Sequence, residues 1–381
     1  MRPGGGYDAA VVGLGVTGAA ITWFLARRGA RTLGLDRHRP PHSQGSSHGR
    51  TRIIRKAYFE SPDYGPLLER AYAGWGAVER EAGVRLFHRT GALTVGRDGG
   101  ELIERVRRSS REAGVPIRAL DPGDLSSLYP ALRLEKGWTG ILDSEAGVLR
   151  AEESVEAFLA LAGREGAHLR YEEGMSRWEE TGGEVRIETP RGRYSARSVV
   201  LSPGPWLPSL AGPKLHLPLQ VTREVAAWFR PVHRTMDLGP GRLPVVLQER
   251  LREGVGYIVP DFGEGIRVGF HHDGEPTDPD RTAREVKARE VEALRAFLNR
   301  AVPDAGGRLV DHSVCLYTST PDHHFAVGPH PRASRITVVS ACSGHGFKFA
   351  PALGELVADR VIEGAEPSEL APFAVDRFGP G

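Results

Sequence analysis

Tyr7-Asp8-Ala9-Ala10-Val11-Val12-Gly13-Leu14-Gly15-Val16-Thr17-Gly18 is the stretch whose reading decides the fold of this chain. Tyr7 to Val12 is a short, mostly apolar run, which suits a parallel strand buried on both faces. Three glycines follow in G-x-G-x-x-G order, and the spacing predicts a helix from Ala19 to Arg28, stopped by Gly29. Arg31 to Leu35 reads as a second buried strand and ends at Asp36, 23 positions beyond Gly13. In a dinucleotide-binding βαβ unit the first glycine makes the turn and the second admits a pyrophosphate. The third lets helix and strand approach, and an acid at this spacing accepts from a ribose hydroxyl. Gly13, Gly15, Val16, Thr17, Gly18 and Asp36 are therefore candidate cofactor contacts. Arg37 and Arg39 just beyond the acid tolerate a 2′-phosphate, so the unit alone leaves NADP open.

The same stretch has a rival reading. Ala9 to Ala26 carries no charge over 18 residues, the lower limit for a membrane span. Its glycines and the preceding Asp8, with no basic flank, favour the nucleotide-binding start over a span or a leader peptide.

Outward from this unit, 381 residues exceed one ordinary core and predict two domains. A net charge of +2 with dispersed basic residues argues against a nucleic-acid partner. Two cysteines make no disulfide framework and suit a reducing, cytoplasmic compartment. Helices are expected at Tyr64 to Ala82, Glu101 to Ala113, Ala151 to Gly166 and Ala283 to Ala301. Leu86 to Val95 alternates like a strand pair. Strands are expected at His168 to Tyr171, Glu184 to Glu188 and Ser198 to Ser202, the last returning to the nucleotide-binding sheet. Short runs at Val221 to Arg230, Pro244 to Gln248, Gly256 to Val259, Ile266 to His271 and Arg308 to Thr318 suggest an antiparallel sheet in the second domain.

A second glycine turn lies near the C-terminus. Ser343-Gly344-His345-Gly346-Phe347-Lys348-Phe349 follows the apolar run Ile336 to Ser340 and precedes a helical run from Pro351. Such a turn, feeding a helix N-terminus, favours an anion. Lys348 is one of only five lysines against 45 arginines, which marks it as more than background.

With these motifs in view, the chain resembles the monomeric sarcosine oxidase family of flavin-dependent amine oxidases, which includes N-methyltryptophan oxidase. The resemblance runs from Tyr7 to the C-terminal helix. Its most specific pieces are Ser47-His48-Gly49-Arg50-Thr51-Arg52-Ile53-Ile54-Arg55, Cys315-Leu316-Tyr317-Thr318 and the second glycine turn. It implies an α/β protein: a Rossmann-like FAD-binding domain from residues 1–86, 147–220 and 321–381, capped by a β-sheet substrate domain from 87–146 and 221–320. It implies FAD, attached through a thioether at Cys315, whose thiolate nearby cations would favour. Arg55 and Lys348 match a carboxylate-binding pair, an arginine fork beside a lysine point charge. Tyr257, His271, Tyr317 and Gly344 match the substrate pocket. Ser46, His48, Thr51, Arg52, Gly204, Trp206, Gly344, Gly346, Phe347 and Lys348 join Arg37 and the fingerprint residues as cofactor contacts. Arg52, Arg267, His271 and Lys348 are the implied catalytic groups.

One departure stands out. Arg267 occupies a position where the family carries a lysine, its proposed site of oxygen activation. Guanidinium keeps the charge but is planar and larger than an ammonium. The implied reaction is oxidation of a secondary amino acid, sarcosine or an N-methyl relative, to an imine, with oxygen giving hydrogen peroxide, by a monomer outside the membrane. The Arg267 departure keeps open a same-fold dehydrogenase using another electron acceptor. Cyclic imino acids such as proline or pipecolate carry the same carboxylate handle. An NAD(P)-dependent reductase would leave Cys315 and the second glycine turn without a purpose, and a non-catalytic nucleotide-binding scaffold is a further alternative.

Overall fold

The computed structural model describes residues 6–212, 215, 217–233, 236–251 and 254–379. The N-terminal unit folds as its composition requires. Strand Tyr7–Val12 runs parallel between Thr32–Leu35 and Gly192–Leu201. Ala333–Ser340 extends the sheet beside Gly192–Leu201, and His168–Arg170 extends it beside Thr32–Leu35, both parallel. The Arg177–Thr181 and Glu184–Thr189 hairpin turns at Gly182-Gly183 and adds antiparallel strands. Helices Val16–Arg27, Ala151–Arg164 and Ala350–Glu363 bury their apolar sides together with helix Gly65–Ala82. Small residues allow this closeness: a Cβ on Gly354 would come within 3.0 Å of Ala20.

A second, mainly antiparallel sheet draws its strands from residues 92–143 and 220–319. Here strand alternation does the sorting. In Ile266–His271, Ile266 and Val268 enter an apolar core with Leu294 and Leu298 of helix Ala288–Ala301. Arg267 and His271 point the other way and line a cavity, and the Gly269 between them faces Tyr257. The long pair Gln220–Arg230 and Arg308–Ser319 sets Glu224 opposite Cys315 and Thr222 opposite Tyr317. Thr51–Ile54, Gly147–Arg150 and Phe87–Arg89 form a small third sheet.

Most expected elements are found within a few residues, and three differ for physical reasons. The first helix starts at Val16 rather than Ala19, so its N-terminus lies inside the glycine loop. The helix expected from Ala283 starts only at Ala288, because the Arg223 guanidinium draws the carbonyls of Ala283 and Glu285 away from helical bonding. Leu86 to Val95 is no hairpin: Phe87–Arg89 pairs with Gly147–Arg150, whereas Ala92–Arg97 pairs with Trp138–Asp143 and Val245–Glu249. Among the described residues, no helix is long and apolar enough to cross a membrane, so Ala9 to Ala26 is strand, turn and helix.

Candidate active site

A cavity of about 550 Å³ runs from the first glycine loop to the inner face of the second sheet. At its nucleotide end the backbone forms a tight cradle. Gly13 has φ +91°, and a Cβ there would meet the Ser202 carbonyl oxygen at 2.4 Å. A Cβ on Gly18 would lie 1.8 Å from the Gly13 oxygen, so only glycine permits this helix-to-strand approach. Helix Val16–Arg27 has no side-chain cap from Gly15, and the Ser47 hydroxyl accepts only from the Val16 N–H at 3.0 Å. Its first turn therefore opens on the cavity with N–H groups suited to an anion. Asp36 is buried at the end of Thr32–Leu35 and accepts from the N–H groups of Leu14 at 2.7 Å and His38 at 2.8 Å. Arg37, Gly204 and Trp206 line the same end, where Asp280 accepts from Trp206 Nε1 at 2.9 Å and pairs with Arg37. These features fit a dinucleotide cofactor.

Midway, Cys315 sits among His48 and two arginines, Arg52 and Arg267. The Glu152 carboxylate binds the N–H groups of Gly49 and Arg50 at 2.7 and 2.9 Å, which fixes the 46–52 loop. That loop brings His48 Nε2 to 3.7 Å and Arg52 Nη2 to 3.5 Å from the Cys315 sulfur. Burial alone would raise the thiol, but His48 and Arg52, with Arg267 behind them, hold it down at about 5. This setting favours the thiolate form of the sulfur.

Arg267 is buried, and its guanidinium is turned onto the Thr51 carbonyl and hydroxyl and, at 3.5 Å, the Tyr257 hydroxyl. Arg52 Nη1 donates to the same Thr51 carbonyl at 2.8 Å. The buried Arg267 Nε has no partner. Tyr257 reaches this position because Gly269 stands opposite it in the sheet, where a Cβ would lie 2.3 Å from the Tyr257 hydroxyl.

At the far end, Arg55 and Lys348 converge on Tyr58. The Arg55 guanidinium carbon lies 4.4 Å from the Tyr58 ring centre and the Lys348 nitrogen 5.0 Å. Phe59 stacks on Arg55 at 4.2 Å. Arg55 is not free: its Nη2 donates to both Glu60 oxygens at 2.7 and 2.8 Å. Burial would raise the Glu60 carboxyl, yet Arg55, with His345, Lys348 and His271, lowers it to about 2. Burial and the neighbouring Arg55 lower Lys348 to about 7, against the opposing pull of Glu60. His271 Nδ1 lies 3.4 Å from the Tyr317 hydroxyl, and burial holds the ring well below its ordinary value, hence neutral. Gly344 completes this corner, since a Cβ there would touch Tyr317 at 2.4 Å and His271 at 2.8 Å.

The cavity wall thus collects Gly13, Gly15, Val16, Thr17, Gly18, Asp36, Arg37, Ser46, Arg52, Arg55, Gly204, Trp206 and Tyr257. Arg267, His271, Cys315, Tyr317, Gly344, Gly346, Phe347 and Lys348 complete it. His48 and Thr51, expected as direct contacts, stand behind it. His48 addresses Cys315, and Thr51 holds the two arginines. A short 3₁₀ turn, Phe347–Phe349, separates the second glycine turn from helix Ala350–Glu363. Sequence reading missed Tyr58, Phe59 and Glu60. Their signal was proximity: two rings and an acid follow the arginine motif after Lys56 and Ala57. His345 was read within its motif but given no task.

Residues 8–360 match the family described as FAD dependent oxidoreductase. A monomeric sarcosine oxidase of Streptomyces avermitilis is 36% identical, with 96% of each chain covered. An N-methyl-L-tryptophan oxidase of Salmonella arizonae is 33% identical over 98% of this chain and 99% of that one. Among solved structures, NikD, an unusual amino acid oxidase essential for nikkomycin biosynthesis, superposes with a TM-score of 0.85. It is 26% identical, with 97% of each chain covered.

Proposed function

The chain belongs to the FAD dependent oxidoreductase family, and from that premise we propose that it oxidises N-methyl amino acids, with sarcosine as the simplest. The observation that carries this reading is the single cavity joining a dinucleotide cradle to the buried Arg55 and Lys348. Two cations buried at one end of such a cavity suit a substrate carboxylate, which exchanges water for an arginine and a lysine partner. The substrate takes over Arg55 from Glu60 as it binds. Neutral His271 offers the amine N–H an acceptor and adds no further positive charge beside it. Tyr317 and Gly344 pack beside it and leave no room for a bulkier neighbour.

FAD, when bound, would supply the acceptor for the two electrons and one proton leaving the carbon beside nitrogen; with the second proton, lost from that nitrogen as the imine forms, oxygen would take up the pair as hydrogen peroxide. The chain's own part is to bind, orient and exclude water. The first glycine loop and Asp36 hold the dinucleotide, while Arg52 and Arg267 place positive charge beside Cys315. The imine product reacts with water outside this machinery; for sarcosine the fragments are glycine and formaldehyde. The Cys315 thiolate supports a thioether to the flavin. Acid precipitation tests it: flavin staying with the protein is expected, and flavin released to the supernatant would contradict it.

We carry the division into an FAD domain of residues 1–86, 147–220 and 321–381 and a cap of 87–146 and 221–320 as part of this reading, because the strands of the two large sheets follow it. A cytoplasmic location accords with two unpaired cysteines; the monomer belongs to the same reading, and size in solution is its direct check. A dehydrogenase reading rests on Arg267, whose guanidinium is turned onto Thr51 rather than left as a free ammonium. Peroxide formation in air, compared with dye reduction without oxygen, separates the two.

A further inference from the structure

A hydrogen-bond chain starts at Lys348 and leads away from the cavity. Lys348 Nζ donates to the His345 carbonyl at 2.6 Å and to the Tyr58 hydroxyl at 3.3 Å. The Tyr58 hydroxyl lies 2.6 Å from His345 Nδ1. On the far side of the ring, His345 Nε2 lies 3.0 Å from the His323 carbonyl oxygen. All of these side chains but His323 are buried.

The carbonyl end fixes every proton in the chain. A carbonyl oxygen only accepts, so His345 Nε2 carries the hydrogen. A neutral imidazole then has a bare Nδ1, which accepts from Tyr58. Having given its proton to His345, Tyr58 offers Lys348 only oxygen lone pairs. Two of the three ammonium donors are thereby spent, and the third is left for the cavity that Lys348 lines. The ring of His345 is pinned as well. It stacks on Phe325 at 5.0 Å and 25°, and stands edge-on to Tyr64 at 5.2 Å. His323 presents its carbonyl from φ +58°, a backbone region that non-glycine residues rarely adopt. Because the chain ends on a carbonyl, it does not conduct protons. It sets the direction of the hydrogen bonds.

We propose that Tyr58 and His345 are positioning residues for Lys348, holding its ammonium protonated and aimed at the substrate carboxylate. The proposal rests on the reading of Lys348 as a carboxylate anchor. The groups facing Lys348 are Arg55, Glu60, Tyr58 and His345. Of these, Glu60 titrates at about 2, and His345 is lowered by burial to about 3. Burial keeps Tyr58 protonated far above neutrality, and His271 stays neutral. Lys348 alone, at about 7, titrates in the neutral range.

The test is acetate binding to the flavin-loaded protein, followed by the change in flavin absorbance across the neutral range. In the wild type, affinity is expected to fall as pH rises through the Lys348 titration. Tyr58→Phe keeps the ring under Arg55 but removes the acceptor. Loss of a hydrogen bond to a charged group is expected to move that midpoint down by about one pH unit and weaken binding about fivefold at pH 7. His345→Phe leaves Tyr58 in place without a taker for its proton. The same downward shift is expected, and it provides the second arm if Tyr58→Phe does not fold. A midpoint unmoved in either folded variant overturns the proposal. Wild-type binding with no midpoint near neutrality, matched by unchanged affinity in Lys348→Met, would instead remove the carboxylate-anchor reading on which it rests.

Discussion

Replacing Glu60 by glutamine separates two jobs of one carboxylate. Glu60 pairs with Arg55, its side chain only 10% exposed, and titrates at about 2 instead of its ordinary 4.5. A carboxyl whose folded value is depressed contributes stability that is fully present above the unfolded value and is lost as pH falls through the folded one. The difference corresponds to about 3 kcal/mol at neutral pH, falling to about 1 kcal/mol near pH 3. Removing one partner of a buried pair also leaves the other unpaired, at a similar cost. With about 2.1 cal/mol/K of unfolding entropy per residue over 381 residues, that loss lowers the melting temperature by about 4 °C. The same change frees Arg55, so acetate is expected to bind about tenfold or more tightly, because no resident anion needs displacing. The assay pairs thermal melts with flavin-monitored acetate titration at neutral and acid pH. The stability gap should narrow on acidification. Glu60→Gln melting like the wild type, or binding acetate more weakly, would refute the argument that Glu60 occupies the substrate's place on Arg55.

Other outcomes follow from the same geometry. Cys315→Ala is expected to bind FAD that acid precipitation releases, whereas flavin of the wild type stays with the protein. Because the thiol is held at about 5, cofactor attachment to apoprotein should slow as pH falls below that value. Arg267→Lys replaces a guanidinium held on Thr51 by a compact ammonium. Reoxidation of reduced flavin by oxygen should rise about tenfold, given the transition-state weight of one well-placed charge, while anaerobic reduction by substrate changes little. Stopped-flow measurement of the two half-reactions checks this. Gly18→Ala forces a Cβ into a carbonyl 1.8 Å away. It should cost about 3 kcal/mol or more and release FAD, read as lost flavin absorbance in purified protein.

The parts of the fold that local chemistry dictates were legible in the sequence. Gly13, Gly15, Gly18 and Asp36 announce their unit because each glycine answers a steric need set by its own neighbours. Helix Gly65–Ala82 buries the very stripe its periodicity marks, Leu67, Leu68, Ala71, Trp75 and Val78. What long-range pairing decides was not legible. Nothing local in Phe87–Arg89 says that its partner is Gly147–Arg150, and nothing before Ala288 announces that Arg223 will unwind the preceding turn. The site divides the same way. Cys315, Arg55 and Lys348 stand in motifs whose resemblance to the family carries their roles. Glu60 looks like any surface acid until the fold buries it on Arg55, and His345 gains a task only when Tyr58 meets it from 287 positions away.

Anaerobic mixing with sarcosine and with larger N-methyl amino acids tests the central claim most directly. The account predicts that bound flavin bleaches with at least one of them and recovers in air with hydrogen peroxide. Protein that binds no flavin, or bound flavin that stays oxidised with every such amine, would contradict it.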